Sequence, residues 1–389
     1  MFPKPIAIMM LAVLVSLASA RPYGRQRDPD SRANELEGIL KGLRDGESPG
    51  AAILVRENGQ TSFQRGYGVR DLRTRRAIDS RTNFRLASCT KQFTAMAIML
   101  LVHDGKLRYD AHLTDVFPEF PDYGKAITLR NLLNHTSGLP DYESLMDQIP
   151  EGQARWTKNR QIHDAEVLAL LKGQKGGKFP PGTQWSYSNS GYVVLGLVVA
   201  KVSGKPFEDF LEERIFAPLK MNHTLAYVRE KNEVPERAYG HSKEGDAFVE
   251  TDQSSTSATL GDGGVYSNLE DLAKWDDALT HHILLASNEM QPALTPVRLA
   301  DGSLPRWASD PGDTNPLQGN LVSYGFGWFL NDYRGHQRMW HSGDTIGFKT
   351  VIERFAEGNL TVILLANRSD LNPETLASKV ANLYLDTLK

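Results

Sequence analysis

Strand-forming segments lie near both ends of this chain, and a long helical stretch separates them. Residues 51–55 form an apolar run, Asn58-Gly59 favours a tight turn, and residues 61–67 predict the returning strand. Near the other end, strand-like runs precede a closing helix predicted over 373–388; they are residues 325–329, 337–340, 348–353 and 360–365. Because a sheet must bury its apolar face, we expect the two ends to form one antiparallel sheet.

The middle of the chain has a different pattern. Residues 128–221 show mainly helical periodicity, interrupted by proline and glycine. The sequence therefore predicts an α/β (α+β) protein, an antiparallel sheet flanked by helices with a mostly helical inserted subdomain. We place the sheet-containing part at about residues 35–110 and 240–388, and the helical insert at about residues 111–239.

The first residues resemble an export signal. Residues 1–20 comprise a short basic start, an apolar run and small residues at Ala18 and Ala20, which predict a cleavable signal peptide. The apolar run is too short to span a bilayer comfortably, although an uncleaved interfacial anchor stays as the alternative. We expect a flexible segment at 21–34 and a periplasmic or extracellular protein. Because Cys89 is the single cysteine, no intrachain disulfide can form, and packing must supply the stability.

Charge limits the possible partners. The chain has a formal net charge of −3, and residues 1–20 contain one lysine and no acidic residue, so their removal gives −3 − 1 = −4. This charge is too small to indicate attraction to nucleic acid or to a membrane surface. We expect a small-molecule or short-peptide substrate, no nucleic-acid partner and no integral membrane span after signal cleavage. The oligomeric state is left open.

Ser88 and Lys91 form a candidate nucleophile and proton acceptor. They are three residues apart at the predicted start of an apolar helix, and positions i and i+3 share one helix face. The free N–H groups and the positive end of the helix dipole favour negative charge developing beside Ser88. Such a serine could be activated without histidine. By itself, the spacing also fits a helix N-cap followed by a solvated lysine.

A Tyr-x-Asn sequence, which could supply a second proton-handling group, occurs twice. Tyr187 and Asn189 follow a Pro/Gly loop and open an apolar helix, a placement that can hold a phenol at the edge of a cleft. The second occurrence, at Tyr266, has a simpler explanation. Ser267 and Glu270 match the Ser-x-x-Glu capping box of an ordinary helix start. We therefore favour Tyr187.

A short polar sequence near the C-terminal end is a third candidate. His341-Ser342-Gly343-Asp344 follows a predicted strand that ends at Trp340. A glycine at this point would let the backbone approach a substrate closely. Considered alone, the sequence is a plausible turn.

In this order, Ser88-x-x-Lys91, Tyr187-x-Asn189 and His341-x-Gly343 resemble the motifs of the serine β-lactamase and penicillin-binding-protein superfamily. The resemblance is to the class C-like branch, with D,D-peptidases and family VIII esterases, and it covers roughly residues 35–388. The stretches 134–140 and 261–267 also resemble sequences of this superfamily. The resemblance implies a β-lactamase/transpeptidase-like fold and a serine hydrolase domain over 35–388. It also implies an acyl-enzyme reaction on ester, D-amino-acid amide or peptide, or β-lactam substrates, with no metal or organic cofactor.

The resemblance also implies a role for each motif residue. Ser88 would attack a carbonyl, and Lys91 and Tyr187 would move its proton. The residues implied in substrate binding are Asn189, His341 and Gly343. The backbone N–H groups of Ser88 and Asp344 would bind the oxyanion. Whether Lys91 or Tyr187 is the base stays open, because two coupled groups titrate as a pair.

The third motif departs from the pattern of many true β-lactamases, which carry Lys-Thr-Gly where this chain has His341-Ser342-Gly343. Lysine is a fixed cation suited to a substrate carboxylate, whereas histidine is charged only part of the time near neutral pH. Histidine here resembles the D,D-peptidases, D-aminopeptidases and esterases of the superfamily. We therefore expect esters or D-amino-acid substrates to be preferred. A true β-lactamase, or a non-turnover penicillin-binding sensor or scaffold, stays as the alternative.

Three other features have less specific explanations. Ser48 lies in a Gly-x-Ser-x-Gly sequence, but a nucleophile elbow needs a strand before it and an N–H on the next residue, which is Pro49. The pair His281-His282 lacks the cysteine partners or His-Glu-x-x-His of a metal hydrolase, so we predict an exposed loop pair. We interpret Cys89 as a small apolar filler, although it could itself be a nucleophile.

Overall fold

The structure, a computed structural model, describes residues 29–43, 46–149, 156–307 and 319–386. The predicted export signal at residues 1–20 lies outside these ranges. Over the described ranges, no helix is both long and apolar enough to cross a membrane.

The described chain consists of the following elements. The strands are β1 (Ala51–Glu57), β2 (Gln60–Tyr67), β3 (Phe84–Arg85), β4 (Leu225–Ala226), β5 (His241–Glu244), β6 (Ala247–Glu250), β7 (Val265–Ser267), β8 (Phe329–Tyr333), β9 (His336–Thr345), β10 (Phe348–Phe355) and β11 (Leu360–Ala366). The α-helices are α1 (Pro29–Ile39), α2 (Lys91–His103), α3 (Leu113–Val116), α4 (Leu129–Leu133), α5 (Tyr142–Asp147), α6 (Asp164–Lys172), α7 (Asn189–Ser203), α8 (Phe207–Leu211), α9 (Leu269–Thr280), α10 (Ser287–Leu294) and α11 (Pro373–Leu385). Short 3₁₀ turns occur at Lys41–Leu43, Ala87–Thr90, Asp122–Ala126 and Glu357–Asn359, and Glu212–Phe216 is a π-helical turn that continues α8.

The main sheet has six strands in the order β2-β1-β11-β10-β9-β8, and its neighbouring strands pair antiparallel. Ala51 pairs with Ala366, so the two ends of the chain meet in the interior of the sheet. The antiparallel sheet predicted from both ends is confirmed. Strands β1 and β11 are buried along almost their whole length, which explains why they are apolar runs without polar alternation.

The turn between β1 and β2 follows its sequence signal. Asn58 and Gly59 have φ angles of 52° and 77°, and a two-residue hairpin of this hand requires positive φ at both positions. Glycine and asparagine adopt such angles more readily than other residues, which is why the pair predicts the hairpin.

Three predicted segments differ from the structure. Residues 29–34, predicted to be flexible, lie in α1, because Leu36 of this helix and Leu40, which follows it, are buried in a cluster with Tyr384 of α11. The strand predicted over 325–329 begins only at Phe329. The strand predicted to end at Trp340 continues to Thr345, so the His341 motif lies within β9 and not in a turn.

Helices α2 and α7 form the centre of the molecule. All residues of α2 from Lys91 to Leu101 are buried, and this helix packs against α7, whose residues 190–196 are also buried. A helix that is apolar on every side belongs in a core. The bounds of the helical insert stay a prediction, although helices α3 to α8 do lie within it. The N-terminal ends of α2 and α7 and the strand β9 meet where the predicted motifs lie.

Candidate active site

Ser88 lies on the 3₁₀ turn Ala87–Thr90, which leads directly into α2. The residue before it, Ala87, has a φ of 48°, an angle that residues other than glycine rarely adopt. Such a conformation is retained only where the surrounding structure imposes it. Here Leu86, Ala87 and Cys89 are buried while Ser88 is partly exposed. The turn therefore presents the serine hydroxyl at the surface of a packed core.

Lys91 is completely buried and its amine touches three oxygen atoms. The distances from Nζ are 3.0 Å to Ser88 Oγ, 2.9 Å to Asn189 Oδ1 and 3.1 Å to the Asp262 carbonyl oxygen. A protonated lysine donates three hydrogen bonds, so these acceptors satisfy it fully. An unprotonated amine has a lone pair, and of the three partners only the Ser88 hydroxyl can donate to it. The contacts thus suit an amine that exchanges a proton with Ser88.

Asn189, the first residue of α7, links the second motif to the lysine. The preceding Ser188 caps the helix by accepting a hydrogen bond from the Gly191 N–H at 3.3 Å. The Asn189 N–H in turn donates to Asp141 Oδ2 at 3.0 Å. The sequence analysis predicted a substrate contact for Asn189, and the structure places its side-chain oxygen on Lys91.

Tyr187 is brought to the same place. The Lys91 amine lies 4.9 Å from the centre of the Tyr187 ring. Within the described part of the chain, no hydrogen bond is made by the Tyr187 hydroxyl, and the side chain is partly exposed. The phenol therefore keeps its hydrogen-bonding capacity for a substrate or for the serine–lysine pair.

The second Tyr-x-Asn sequence has a structural role. Tyr266 is 1 % exposed, and its hydroxyl accepts a hydrogen bond from Arg237 at 3.2 Å. Burial raises the pKa of its phenol to about 12. The predicted cap of the following helix is wrong by one residue: Asn268, and not Ser267, accepts from the Asp271 N–H at 2.9 Å. Asparagine and serine are comparable N-caps, so composition alone does not separate them.

His341 in β9 is 2 % exposed. Its Nδ1 lies 2.6 Å from the Ser342 carbonyl oxygen, which can only accept, so Nδ1 carries the proton. Its Nε2 lies 3.2 Å from the Tyr324 hydroxyl, which then donates. Burial and the nearby Lys91 lower the pKa of His341 to about 3. The sequence predicted a part-time charge, whereas this environment keeps the imidazole neutral at physiological pH.

Gly343 permits close packing of β9 against the serine turn. A Cβ at this position would overlap the Leu86 carbonyl oxygen and the Thr350 hydroxyl, and would lie 3.1 Å from the Ala87 Cβ. The Thr350 hydroxyl also donates to the Leu86 carbonyl at 2.8 Å. The sequence predicted a close approach to a substrate, and the approach found here is to the backbone that precedes Ser88.

Asp344 continues β9 beyond Gly343. Its carboxylate forms an ion pair with Lys349, its partner in the register of β10, and 68 % of its side chain is exposed. The rings of Tyr187 and His341 are 6.1 Å apart, which connects the second and third motifs. The predicted use of the Ser88 and Asp344 N–H groups for an oxyanion stays a prediction.

Four residues of this region were not predicted from the sequence. Asp262 accepts a hydrogen bond from Lys91 through its carbonyl. The other three form hydrogen bonds with motif residues or their neighbours: His135 with Ser188, Asp141 with Asn189, and Tyr324 with His341. His135 is 1 % exposed and has a φ of 63°. Its position in the stretch 134–140, and that of Asp262 between glycines, were the available signals.

The alternative candidates do not form sites. Ser48 lies three residues before β1, so a strand follows it where an elbow requires a helix. His281 and His282 are exposed. Cys89 is fully buried, its thiol donates to the His341 carbonyl at 3.2 Å, and burial raises its pKa to about 12. In the ranges described, no three histidine, cysteine, aspartate or glutamate side chains are grouped as a metal site requires.

Comparisons with known proteins find relatives along most of the chain. Residues 36–384 match the model of the Beta-lactamase family. Penicillin-binding protein 4* of Bacillus subtilis is 30% identical over 355 residues, which cover 87% of this chain and 73% of that protein. The D-amino acid amidase of Ochrobactrum anthropi SV3, solved as a complex with L-phenylalanine amide, superimposes with a TM-score of 0.71 and 27% identity. That match covers 92% of this chain and 97% of the amidase.

A more distant structure shares the fold. The octameric penicillin-binding protein homologue from Pyrococcus abyssi has a TM-score of 0.72 at 24% identity, with 92% of this chain and 76% of that chain covered. The family match extends over nearly the whole described chain, and the three motifs meet around Ser88 and Lys91. The chain therefore belongs to the Beta-lactamase family, within the β-lactamase/transpeptidase-like superfamily.

Proposed function

We propose that this protein is an exported serine hydrolase that works through an acyl-enzyme on Ser88. The observation that carries the proposal is the set of three contacts made by the buried Lys91 amine, one of them to Ser88 Oγ. A positioned base of this kind activates a serine that is otherwise a weak nucleophile. Export is proposed on the predicted signal peptide at residues 1–20.

The proposed reaction has two halves. Ser88 Oγ adds to the substrate carbonyl while its proton passes to Lys91 or Tyr187, and the oxyanion is bound by the N–H groups of Ser88 and Asp344. The tetrahedral intermediate then expels an alcohol or amine, which takes up that proton, and leaves an ester on Ser88. Water then attacks this ester and gives a proton to Lys91 or Tyr187; the carboxylic acid departs as that proton passes to Ser88 Oγ.

Substrate preference is proposed from charge. A buried, neutral His341 supplies no fixed cation for the carboxylate of a β-lactam, and the nearby Lys349 is paired with Asp344. The amidase superimposed above is named for D-amino acid substrates. We therefore place short esters and D-amino-acid amides ahead of β-lactams.

The reaction class is tested by covalent labelling. A fluorophosphonate incubated with the full chain should modify Ser88 and no other residue, because the Lys91 amine lies 3.0 Å from Ser88 Oγ and can take up its proton. Peptide mass spectrometry locates the adduct, and Ser88→Ala provides the unlabelled control. An adduct on Ser48 or Cys89 would contradict the proposed mechanism.

Substrate preference is tested by one side-by-side panel of kcat/KM values. The panel comprises p-nitrophenyl butyrate, a D-amino-acid p-nitroanilide, a D-alanyl-D-alanine peptide and nitrocefin. We expect the ester or the anilide to be fastest. If nitrocefin exceeds both by more than about tenfold, about 1.4 kcal/mol of transition-state preference, the protein is a β-lactamase. A single acylation burst without turnover on every substrate would indicate a penicillin-binding sensor.

A further inference from the structure

We propose that His135 is a positioning residue that fixes the Tyr187 phenol over the serine–lysine pair, a role that rests on the proposed function above. No hydrogen bond joins His135 to Ser88 among the described residues, so its role is exerted through the residues that it holds. Four observations carry the inference: its backbone contacts, its ring contacts, its protonation state and its backbone conformation.

The backbone contacts bracket Tyr187. The Ser186 N–H donates to the His135 carbonyl oxygen at 3.0 Å. The Ser188 N–H donates to His135 Nδ1 at 3.2 Å. The N–H groups of the residues before and after Tyr187 are thus both bound by one residue, which limits rotation of the segment that carries the phenol.

The ring contacts act on the phenol itself. The His135 imidazole lies 4.4 Å from the Tyr187 ring, centre to centre, with the two planes inclined by 34°. On its other sides it contacts three further aromatic rings, those of Trp185, Tyr192 and Tyr324. Since the Tyr187 hydroxyl forms no hydrogen bond among the described residues, the two bracketing bonds and ring packing orient the phenol. In that packing the His135 ring is nearer than those of Trp185 and His341.

The protonation state agrees with this role. Because Nδ1 accepts the Ser188 N–H, it must be unprotonated. Burial, followed by the charge of Lys91 and the nearby His341, lowers the pKa of His135 well below its ordinary value. The imidazole is therefore neutral, and it places no charge beside the proton that Lys91 and Tyr187 exchange.

The backbone of His135 is itself unusual. Its φ of 63° lies in the left-handed region, which few residues other than glycine adopt, asparagine, aspartate and histidine doing so more often than the rest. Strained conformations of this kind persist where the surroundings enforce them, and they concentrate at functional sites. The strain lets His135 present its carbonyl to one side of Tyr187 and its ring to the other.

The test measures acylation in two backgrounds. His135→Asn retains an acceptor near the Nδ1 position and tolerates the positive φ, but it loses the ring; His135→Gly loses both. With Tyr187 present, His135→Gly should slow fluorophosphonate acylation of Ser88 by about tenfold or more, because a phenol that is out of position transfers a proton slowly. His135→Asn should slow the acylation less. In a Tyr187→Phe background, both substitutions should change the rate less than about twofold, because the effect of a positioning residue vanishes with the group that it positions.

Two controls make the outcome decisive. His336→Asn replaces another mostly buried histidine. His336 is the first residue of β9, away from the His341–Asp344 end of that strand, so the substitution should leave the acylation rate unchanged. Thermal unfolding of each variant identifies any loss of fold. Equal losses in the two backgrounds, or failure of both His135 variants to fold, would show a purely structural histidine and overturn the inference alone. A wild type that never acylates Ser88 would overturn the proposed function, and this inference with it.

Discussion

Replacing Lys91 with alanine should lower the rate of Ser88 acylation by about 10²-fold or more, the usual scale for a positioned acid or base. The substitution removes the only side-chain nitrogen in contact with Ser88 Oγ among the described residues. It also leaves the Asn189 side-chain oxygen and the Asp262 carbonyl without the donor that they share. Stopped-flow measurement of the acylation phase, corrected for the number of labelled sites, gives the rate.

The same measurement separates the two candidate tyrosines. Tyr187→Phe should slow acylation on the same scale, about 10²-fold. Tyr266→Phe should slow acylation much less, because the Tyr266 hydroxyl is buried and hydrogen-bonded to Arg237. The double variant of Lys91 and Tyr187 should lose far less than the product of the single losses, since groups that act as one unit are not additive. Equal losses at Tyr187 and Tyr266 would show that the wrong Tyr-x-Asn sequence was chosen.

Local geometry explains why the first motif could be predicted. Ser88 and Lys91 meet because their spacing in a helical segment fixes their relative positions, whatever surrounds them. That β1 and β11 belong to one antiparallel sheet could also be predicted, since both are apolar runs that must be buried; their direct pairing is seen only in the structure. Patterns that depend on nearby residues or on burial alone are readable from a sequence.

Other features of the site depend on contacts between distant segments. The third acceptor of Lys91 is the carbonyl of Asp262, and a backbone oxygen has no residue-type signature. The neutral state of His341 follows from burial beneath Tyr324 and beside Lys91, which its motif does not reveal. The backbone freedom of Gly343 predicts a close approach to a substrate, which stays a prediction. Its packing on Leu86 becomes visible only when β9 and the serine turn are seen together.

Gly343→Ala should reduce both stability and acylation. Its added Cβ would overlap the Leu86 carbonyl oxygen, a backbone atom that cannot rotate away, as well as the Thr350 hydroxyl. Overpacking of this kind typically costs about 1–3 kcal/mol in the free energy of unfolding. The overlap is removed only if β9 moves away from the turn that carries Ser88. A displacement of about 1 Å at a reacting group can lower the rate about 10²-fold.

The matched control for this prediction is Gly176→Ala, because a Cβ at Gly176 meets no atom within 4 Å and its φ is not positive. Urea unfolding gives the free energies, and fluorophosphonate labelling gives the acylation rates. We expect Gly176→Ala to match the wild type in both, and Gly343→Ala to fall below it in both. If Gly343→Ala unfolds like the wild type and acylates at the same rate, β9 does not constrain the serine turn. The third motif would then act on the substrate alone, through the backbone of Asp344 and the neutral His341, without holding Ser88 in place.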